Sequence, residues 1–334
     1  MAGAERRLMS QRILLTGGTG FFGRALLRHL LASGIDPGTH ISILSRQPDR
    51  FRAAHPDLVG GDQISFVQGD IQDRDSLPWH QSFTHVLHAA TDSTLGPSLT
   101  PLQRFNQIVD GTRHIIDLTV ATGATRFLLT SSGGIYGHQP ADLEAIPEDW
   151  SGGPALDVAA TAYSQAKRAA EHICALYRDA HGLETVIARC FAFVGPDLPR
   201  DAHFAIGNFI RDALEAEVIT VAGDGTPLRT YLDQRDLARW LWLLLMEGHD
   251  GEAYNIGSDH VISIADLASL VRDLLAPNKP VVILGQNQGM AAHNRYVPSI
   301  YKIRKDHGIK QEYSLESAIA HVASCLTPLD NNIR

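Results

Sequence analysis

Two groups of residues in this chain have the types and spacing to do chemistry. The first is Thr16-Gly17-Gly18-Thr19-Gly20-Phe21-Phe22-Gly23, with glycines at 17, 20 and 23. It joins an apolar run (Ile13 to Leu15) to a helical pattern at Phe22, Leu26, Leu27, Leu30 and Leu31. Such a junction aims the N–H groups of the helix's first turn, at Phe21, Phe22 and Gly23, toward an anion, with the positive end of the helix dipole behind them. Gly17 permits the turn, Gly20 lets backbone approach a pyrophosphate, and Gly23 lets the helix pack close on the strand. A strand, this turn and a helix near the N-terminus point to a bound dinucleotide. The second group is Tyr163-Ser164-Gln165-Ala166-Lys167. Tyr and Lys at i and i+4 share one helix face. An ammonium one turn away favours the phenolate and draws the tyrosine down from about 10 toward working pH. A tyrosine so placed exchanges a proton with a hydroxyl or carbonyl oxygen.

The composition suits a soluble enzyme. The chain has 334 residues, 44% hydrophobic and 20% charged, and is expected to form one large or two closely joined domains. A net charge of −8 argues against a general binder of nucleic acid or anionic membrane. The longest apolar run, near Trp240 to Met246, is too short to span a bilayer, and the first ten residues lack the apolar segment of a signal peptide. Cys174, Cys190 and Cys325 have no metal-ligand spacing, and the sixteen histidines are scattered. A cytoplasmic protein without a metal site is expected.

The elements that must position the two groups alternate. Strands are expected at Ile13–Leu15, His40–Leu44, Ile64–Val67, Thr84–Ala90, Arg126–Thr130 and Thr185–Ala192. Helices are expected from Phe22, over Pro101–Thr122 with Gly123 closing it, and from Thr161 to about Ala180. Alternation of this kind gives an α/β fold with a doubly wound parallel sheet. The second strand ends in Ser45-Arg46, where folds that prefer NAD place a carboxylate. A guanidinium and a hydroxyl suit a 2′-phosphate, so NADP is favoured over NAD. After the third strand, Asp70, followed by Ile71, could accept from an adenine amino group, and Ala89 and Ala90 leave room for cofactor. Residues 138–160 read as a loop. Beyond about 195 come a helix at 204–214, a strand at 218–221, an apolar helix at 233–246, a strand at 252–256 and a helix at 264–275. The expected division is a dinucleotide-binding domain of residues 1–190 and a smaller α/β substrate lobe of 191–334, with some elements beyond 230 returning to the first.

Taken together, Thr16 to Gly23, Ser132 and Tyr163-xxx-Lys167 resemble the extended short-chain dehydrogenase/reductase family, the NAD(P)-dependent nucleotide-sugar epimerases, dehydratases and reductases. The resemblance extends to Gly69-Asp70, Gly195-Pro196, Arg229 to Asp233, Tyr254 to Gly257 and Arg295-Tyr296, nearly the whole chain. It implies that Ser132, Tyr163 and Lys167 are catalytic. Ser132 would hold the reacting oxygen, Tyr163 would move its proton, and Lys167 would also bind the nicotinamide ribose. Ser131 competes with Ser132, and the family's count of four back from Tyr136 selects Ser132. Arg229 and Arg295 would grip a nucleotide diphosphate, with Asn208 reaching a diphosphate or sugar oxygen. The resemblance also implies a homodimer through helices 100–122 and 161–180 in a four-helix bundle.

Departures from the family pattern narrow the reaction. Gly133 and Gly134 stand where the 4,6-dehydratase branch has Asp and Glu, so dehydration is disfavoured. The strand end reads Arg189-Cys190-Phe191-Ala192 where the family usually has Arg-Tyr-Phe-Asn. The expected function is NADPH-dependent reduction of a 4-keto-6-deoxy nucleotide sugar. The alternative is 4-epimerisation, and a more distant one is a non-catalytic NAD(P)-sensing module.

Overall fold

The computed structural model describes residues 10–91, 99–201, 204–285 and 294–326. Strands β1 (Gln11–Thr16), β2 (Thr39–Ser45), β3 (Ile64–Gln68), β4 (His85–His88), β5 (Arg126–Ser132) and β6 (Glu184–Cys190) are interleaved with helices. These are α1 (Phe21–Ser33), α2 (Pro48–Ala54), α3 (Pro101–Ala121) and α4 (Ala162–His181). The strands lie in the order β3-β2-β1-β4-β5-β6, and Ala253–Ile256 adds a seventh at the β6 edge. All pairings from β3 to β6 are parallel. The seventh strand runs the same way, since Ile187 N donates to Glu252 O and Phe191 N to Ile256 O. This is the expected doubly wound sheet, and its order reverses between β1 and β4. In such sheets ligands bind beyond the strand ends at that reversal.

The chain folds into two compact units, neither continuous in sequence. One comprises Met1–Gly137, Gly153–Cys190 and Ala238–Tyr254, and the other His138–Gly152, Phe191–Leu237 and Asn255–Arg334. In the first, β1, β2 and β5 are buried almost throughout, as strands covered on both faces must be. Leu14, Val86, Phe127 and Leu129 pack in one core with Ile115 and Ile116 of α3 and Ala170 and Ile173 of α4. Thr100 and Gln103 cap α3 reciprocally, with Pro101 in the first turn. Gly123 (φ +80) leads the chain away from α3, and Gly182 (φ +65) does the same after α4.

Arg126, the first residue of β5, is 7% exposed. Its guanidinium donates to the carbonyls of Leu244, Leu245 and Gly248, at the C-terminal end of helix Gln234–Glu247, and pairs with Glu184 Oε2 at 2.7 Å. Leu244 O also accepts from Gly248 N at 3.0 Å; at this helix end the cation supplies further hydrogen bonds and a favourable charge for the helix dipole.

In the second unit, helices Ala205–Glu215, Ile264–Leu275 and Leu315–Leu326 pack on one another, and the first two also pack on the parallel pair Ile219–Val221 and Val281–Ile283. Leu228–Arg229 lies between Ile262–Ser263, antiparallel, and Arg295–Tyr296, parallel. The buried Asn255 side chain donates to Ile146 O and Ser299 O, holding the 138–152 segment.

Arg126→Met keeps side-chain bulk but leaves several buried acceptors unpaired. We expect it to lower unfolding free energy by about 3 kcal/mol in urea titrations. Arg28→Met, which removes an exposed ion pair to Asp57, should cost under about 1 kcal/mol. Equal losses in the two variants would contradict the assignment.

Candidate active site

The site begins where β1 ends. Gly17 has φ +73, and a Cβ there would lie 2.5 Å from the backbone C and O of Ala89, so only glycine fits. The carbonyl of Thr16 accepts from Ala89 N at 3.2 Å, and Thr16 Oγ1 accepts from Ala90 N at 3.2 Å. These bonds draw the chain across the sheet's end, so β4 stops at His88 rather than reaching Ala90 as its composition suggests. Thr16 Oγ1 also hydrogen-bonds His88 Nδ1 at 2.7 Å, and His88 Nε2 lies 3.4 Å from Thr112 Oγ1. Burial, reinforced by the nearby Lys167, lowers His88 to about 3 and keeps it neutral.

The three glycines differ in what demands them. A Cβ at Gly23 would sit 2.2 Å from Gly18 Cα, so α1 packs against the turn itself. At Gly20 the nearest atom would be Gly17 O at 3.4 Å, an ordinary contact. Packing does not require glycine at 20. Gly20 is the N-cap of α1, which has no side-chain cap and no acidic residue in its first turn. An open helix N-terminus with no competing carboxylate fits a diphosphate.

At the end of β2, Ser45 is buried and its Oγ accepts from Gln47 N at 3.2 Å. Arg46 is exposed and forms no hydrogen bond or ion pair among the described residues. The neighbouring arginines are engaged: Arg50 donates to Gln47 Oε1, while Arg52 pairs with Asp49 and covers the Phe66 ring. Asp70 Oδ1 accepts from Gln72 N at 2.9 Å. The Ile71 side chain packs toward Gly111 of α3, and its carbonyl accepts from His114 Nδ1 at 2.8 Å.

Ser132, Tyr163 and Lys167 come together at the end of β5 and the start of α4. Ser132 Oγ accepts from Gly134 N at 3.1 Å, and its hydroxyl lies near enough to the Tyr163 phenol to favour its ionised form. Lys167 is 3% exposed and donates to Thr91 Oγ1 and Thr130 O, each at 2.8 Å. Ser131 is committed elsewhere, donating to Glu171 Oε1 at 2.5 Å. Glu171 in turn holds Arg189 by two nitrogens, and Arg189 Nη1 donates to Tyr136 OH at 2.8 Å. This network ties β5, β6, α4 and the 133–136 turn, which fixes the backbone on both sides of Ser132.

The spacing of Tyr163 and Lys167, with a positive nicotinamide ring beside them, implies a lowered tyrosine pKa; in the chain by itself burial works in the opposite direction. Burial raises Tyr163, outweighing the downward pull of the Ser132 hydroxyl and of Arg104, while Cys190 adds to the rise. Burial likewise pulls Lys167 down to about 8, although Cys190, Glu171 and Cys174 oppose it. The phenol is therefore protonated at neutral pH. Spacing in the sequence also does not single out Thr91, His88 or Arg104. For Thr91 a signal exists, since it directly follows Ala89-Ala90 at the end of a strand.

In the second unit, Arg229 donates to Leu228 O (2.8 Å), Asn294 O (2.7 Å) and Asn294 Oδ1 (3.2 Å). It has no carboxylate partner among the described residues, and burial lowers its pKa. The ladder pairs Tyr296 with Arg229 and Arg295 with Leu228. Paired residues share a face and neighbours alternate, so Arg295 is not brought to the face of Arg229. Asn208, on helix Ala205–Glu215, accepts from Arg211 Nη1 at 3.5 Å. Among the described residues no helix is long and apolar enough to cross a membrane, and no His, Cys, Asp and Glu group could hold a metal ion.

Comparison with known proteins agrees with this geometry. The model of the NAD-dependent epimerase/dehydratase family matches residues 13–257. UDP-glucuronic acid decarboxylase 3 of Arabidopsis thaliana is 28% identical over 270 residues, covering 80% of this chain and 76% of that protein. A dTDP-glucose 4,6-dehydratase of Neisseria meningitidis is 27% identical over 337 residues, covering 92% and 91%. The structure of a UDP-glucose 4-epimerase from Thermotoga maritima superposes with a TM-score of 0.80 at 21% identity, covering 94% and 98%.

The glycines separate fold from binding. Gly20→Ala should unfold at the wild-type midpoint yet bind a nicotinamide dinucleotide about tenfold more weakly by calorimetry, about 1.4 kcal/mol. Gly17→Ala should lose both stability and binding. A destabilised Gly20→Ala, or one that binds normally, would mean that the turn is purely structural.

Proposed function

The chain belongs to the NAD-dependent epimerase/dehydratase family, enzymes of the extended short-chain dehydrogenase/reductase group, and on that premise we propose that it is a nucleotide-sugar reductase. Its reaction is the NADPH-dependent reduction of a 4-keto-6-deoxy sugar carried on a nucleoside diphosphate. One observation carries this reading: Tyr163, beside Ser132, is buried, which raises its pKa and favours the protonated phenol, and the residues after Ser132 are two glycines. A protonated phenol is the form that gives a proton to a carbonyl oxygen. Epimerisation and dehydration begin instead by taking a proton. The glycines supply no second acid or base, which separates this chain from the dehydratase among its relatives.

When bound, the nicotinamide supplies the hydride. The chain's residues do the rest. Gly17, Gly20 and the N–H groups of Phe21, Phe22 and Gly23 receive the diphosphate. Arg46, beside Ser45, takes the 2′-phosphate, and its lack of a side-chain partner among the described residues supports NADP over NAD. Asp70 and Ile71 border the adenine, Ala89 and Ala90 leave space, and Lys167 holds the ribose. Ser132 holds the substrate oxygen in line for the Tyr163 proton. Arg229, bonded among the described residues to neutral oxygens, is the group for a nucleotide diphosphate, assisted by Asn208. In this reading residues 1–190 serve mainly the dinucleotide and 191–334 the nucleotide sugar. Exposed Leu102 on α3 and Leu176 on α4 support a homodimer through those helices. A 4-epimerase remains the second reading, because it would use the same Ser132, Tyr163 and Lys167.

The test is to incubate the protein with NADPH and a panel of nucleotide-linked 4-keto-6-deoxyhexoses. Stoichiometric NADPH oxidation that vanishes in Tyr163→Phe supports the reductase, and interconversion of epimers without oxidation overturns it. Arg46→Ala should weaken NADPH about tenfold and leave NADH unchanged. Lys167 is charged below about 8, so kcat/KM should hold at neutral pH and fall as pH rises through that value.

A further inference from the structure

Arg104 lies in the first turn of α3, and its guanidinium carbon is 5.5 Å from the centre of the Tyr163 ring. Among the described residues its side chain forms no hydrogen bond or ion pair, and its Nε is buried. A partly desolvated charge without a counter-ion is costly, and the electron-rich ring face is what offsets that cost here. We propose that Arg104 is a positioning residue acting through Tyr163, holding over its ring a permanent positive charge that stabilises the phenolate left after proton transfer. This rests on the reading of Tyr163 as proton donor.

The groups around Tyr163 show why this cation matters. From β5 comes the Ser132 hydroxyl, from β6 the Cys190 thiol, from α4 itself the Lys167 ammonium, and from α3 Arg104. Cys190 is pushed up to about 12 by burial and stays neutral. Lys167 is tied to Thr91 and Thr130 and loses its proton near 8. A guanidinium keeps its charge throughout. Among the described groups facing the ring, Arg104 is the cation that persists above the Lys167 titration, and it lowers the phenol's pKa while burial raises it.

The test uses the free protein, with no dinucleotide or substrate. Tyrosinate absorbance is titrated in wild type and variants, each against its Tyr163→Phe counterpart to isolate Tyr163. Arg104→Gln and Arg104→Met should raise the midpoint by about one pH unit, and Arg104→Lys should keep most of the wild-type value. An unchanged midpoint in Gln and Met, or a Lys variant shifted as far as Met, overturns the proposal. Where alkaline unfolding comes first, the same order is read in turnover at neutral pH. There Gln and Met lower kcat about tenfold with KM unchanged, and Lys restores it. Loss in all three variants would mark Arg104 as a packing residue. A midpoint shift in a protein that reduces no keto sugar would leave Arg104 in place and remove the reductase reading.

Discussion

Where β1 and β4 end, two stretches of backbone lie so close that nothing larger than hydrogen fits at Gly17 against Ala89. The rest of the site is referred to that close approach. Thr16 grips Ala89 and Ala90 and holds the His88 ring. The next residue, Thr91, holds Lys167, whose other bond goes to Thr130, two residues before Ser132. An unbroken line of bonds thus runs from the glycine turn to the Ser132–Tyr163 pair. A shift of the turn would be transmitted to the proton-moving groups, because each link is wholly or partly buried and water is a poor substitute partner there.

Burial dominates the electrostatics of this cluster. Lys167 is drawn from 10.5 to about 8, corresponding to about 3 kcal/mol of unfavourable burial of its charged form. The sign follows from linkage. This cost is fully present below the folded value and fades as pH rises toward the unfolded one, where both states are neutral. The chain tolerates it because neighbouring charges are well matched. Glu171 and Arg189, each about 15% exposed, meet with two nitrogens on two oxygens.

Much of the architecture was legible in the sequence for a physical reason. Strands buried on both faces read as continuous apolar runs, and Ile13–Leu15 or Arg126–Thr130 could hardly be anything else. The helix Ile264–Leu275 was readable from its period alone. What escaped depends on tertiary packing. Strand β4 ends early because of a side chain 72 or more residues away on β1. The direction of the Tyr163 shift depends on burial, which a four-residue spacing does not encode. Arg229 and Arg295 look equivalent as motif residues, yet a two-residue ladder register puts them on different faces. Short pairs such as Val281–Ile283 carry too few residues to show a period.

Arg126 reaches the carbonyls of a helix that ends 119 or more residues further along the chain. The seventh strand of the large sheet likewise arrives only at residue 253, after most of the second unit's first long segment has passed. On the ribosome, the nucleotide-type sheet therefore cannot close when β6 emerges. It waits, with the outer edge of β6 unpaired and the Arg126 guanidinium without its helix-end carbonyls, until some sixty more residues have been made. Assembly order is thus written into the connectivity: cutting the gene at the apparent end of the first six strands would yield a sticky edge rather than an independent domain.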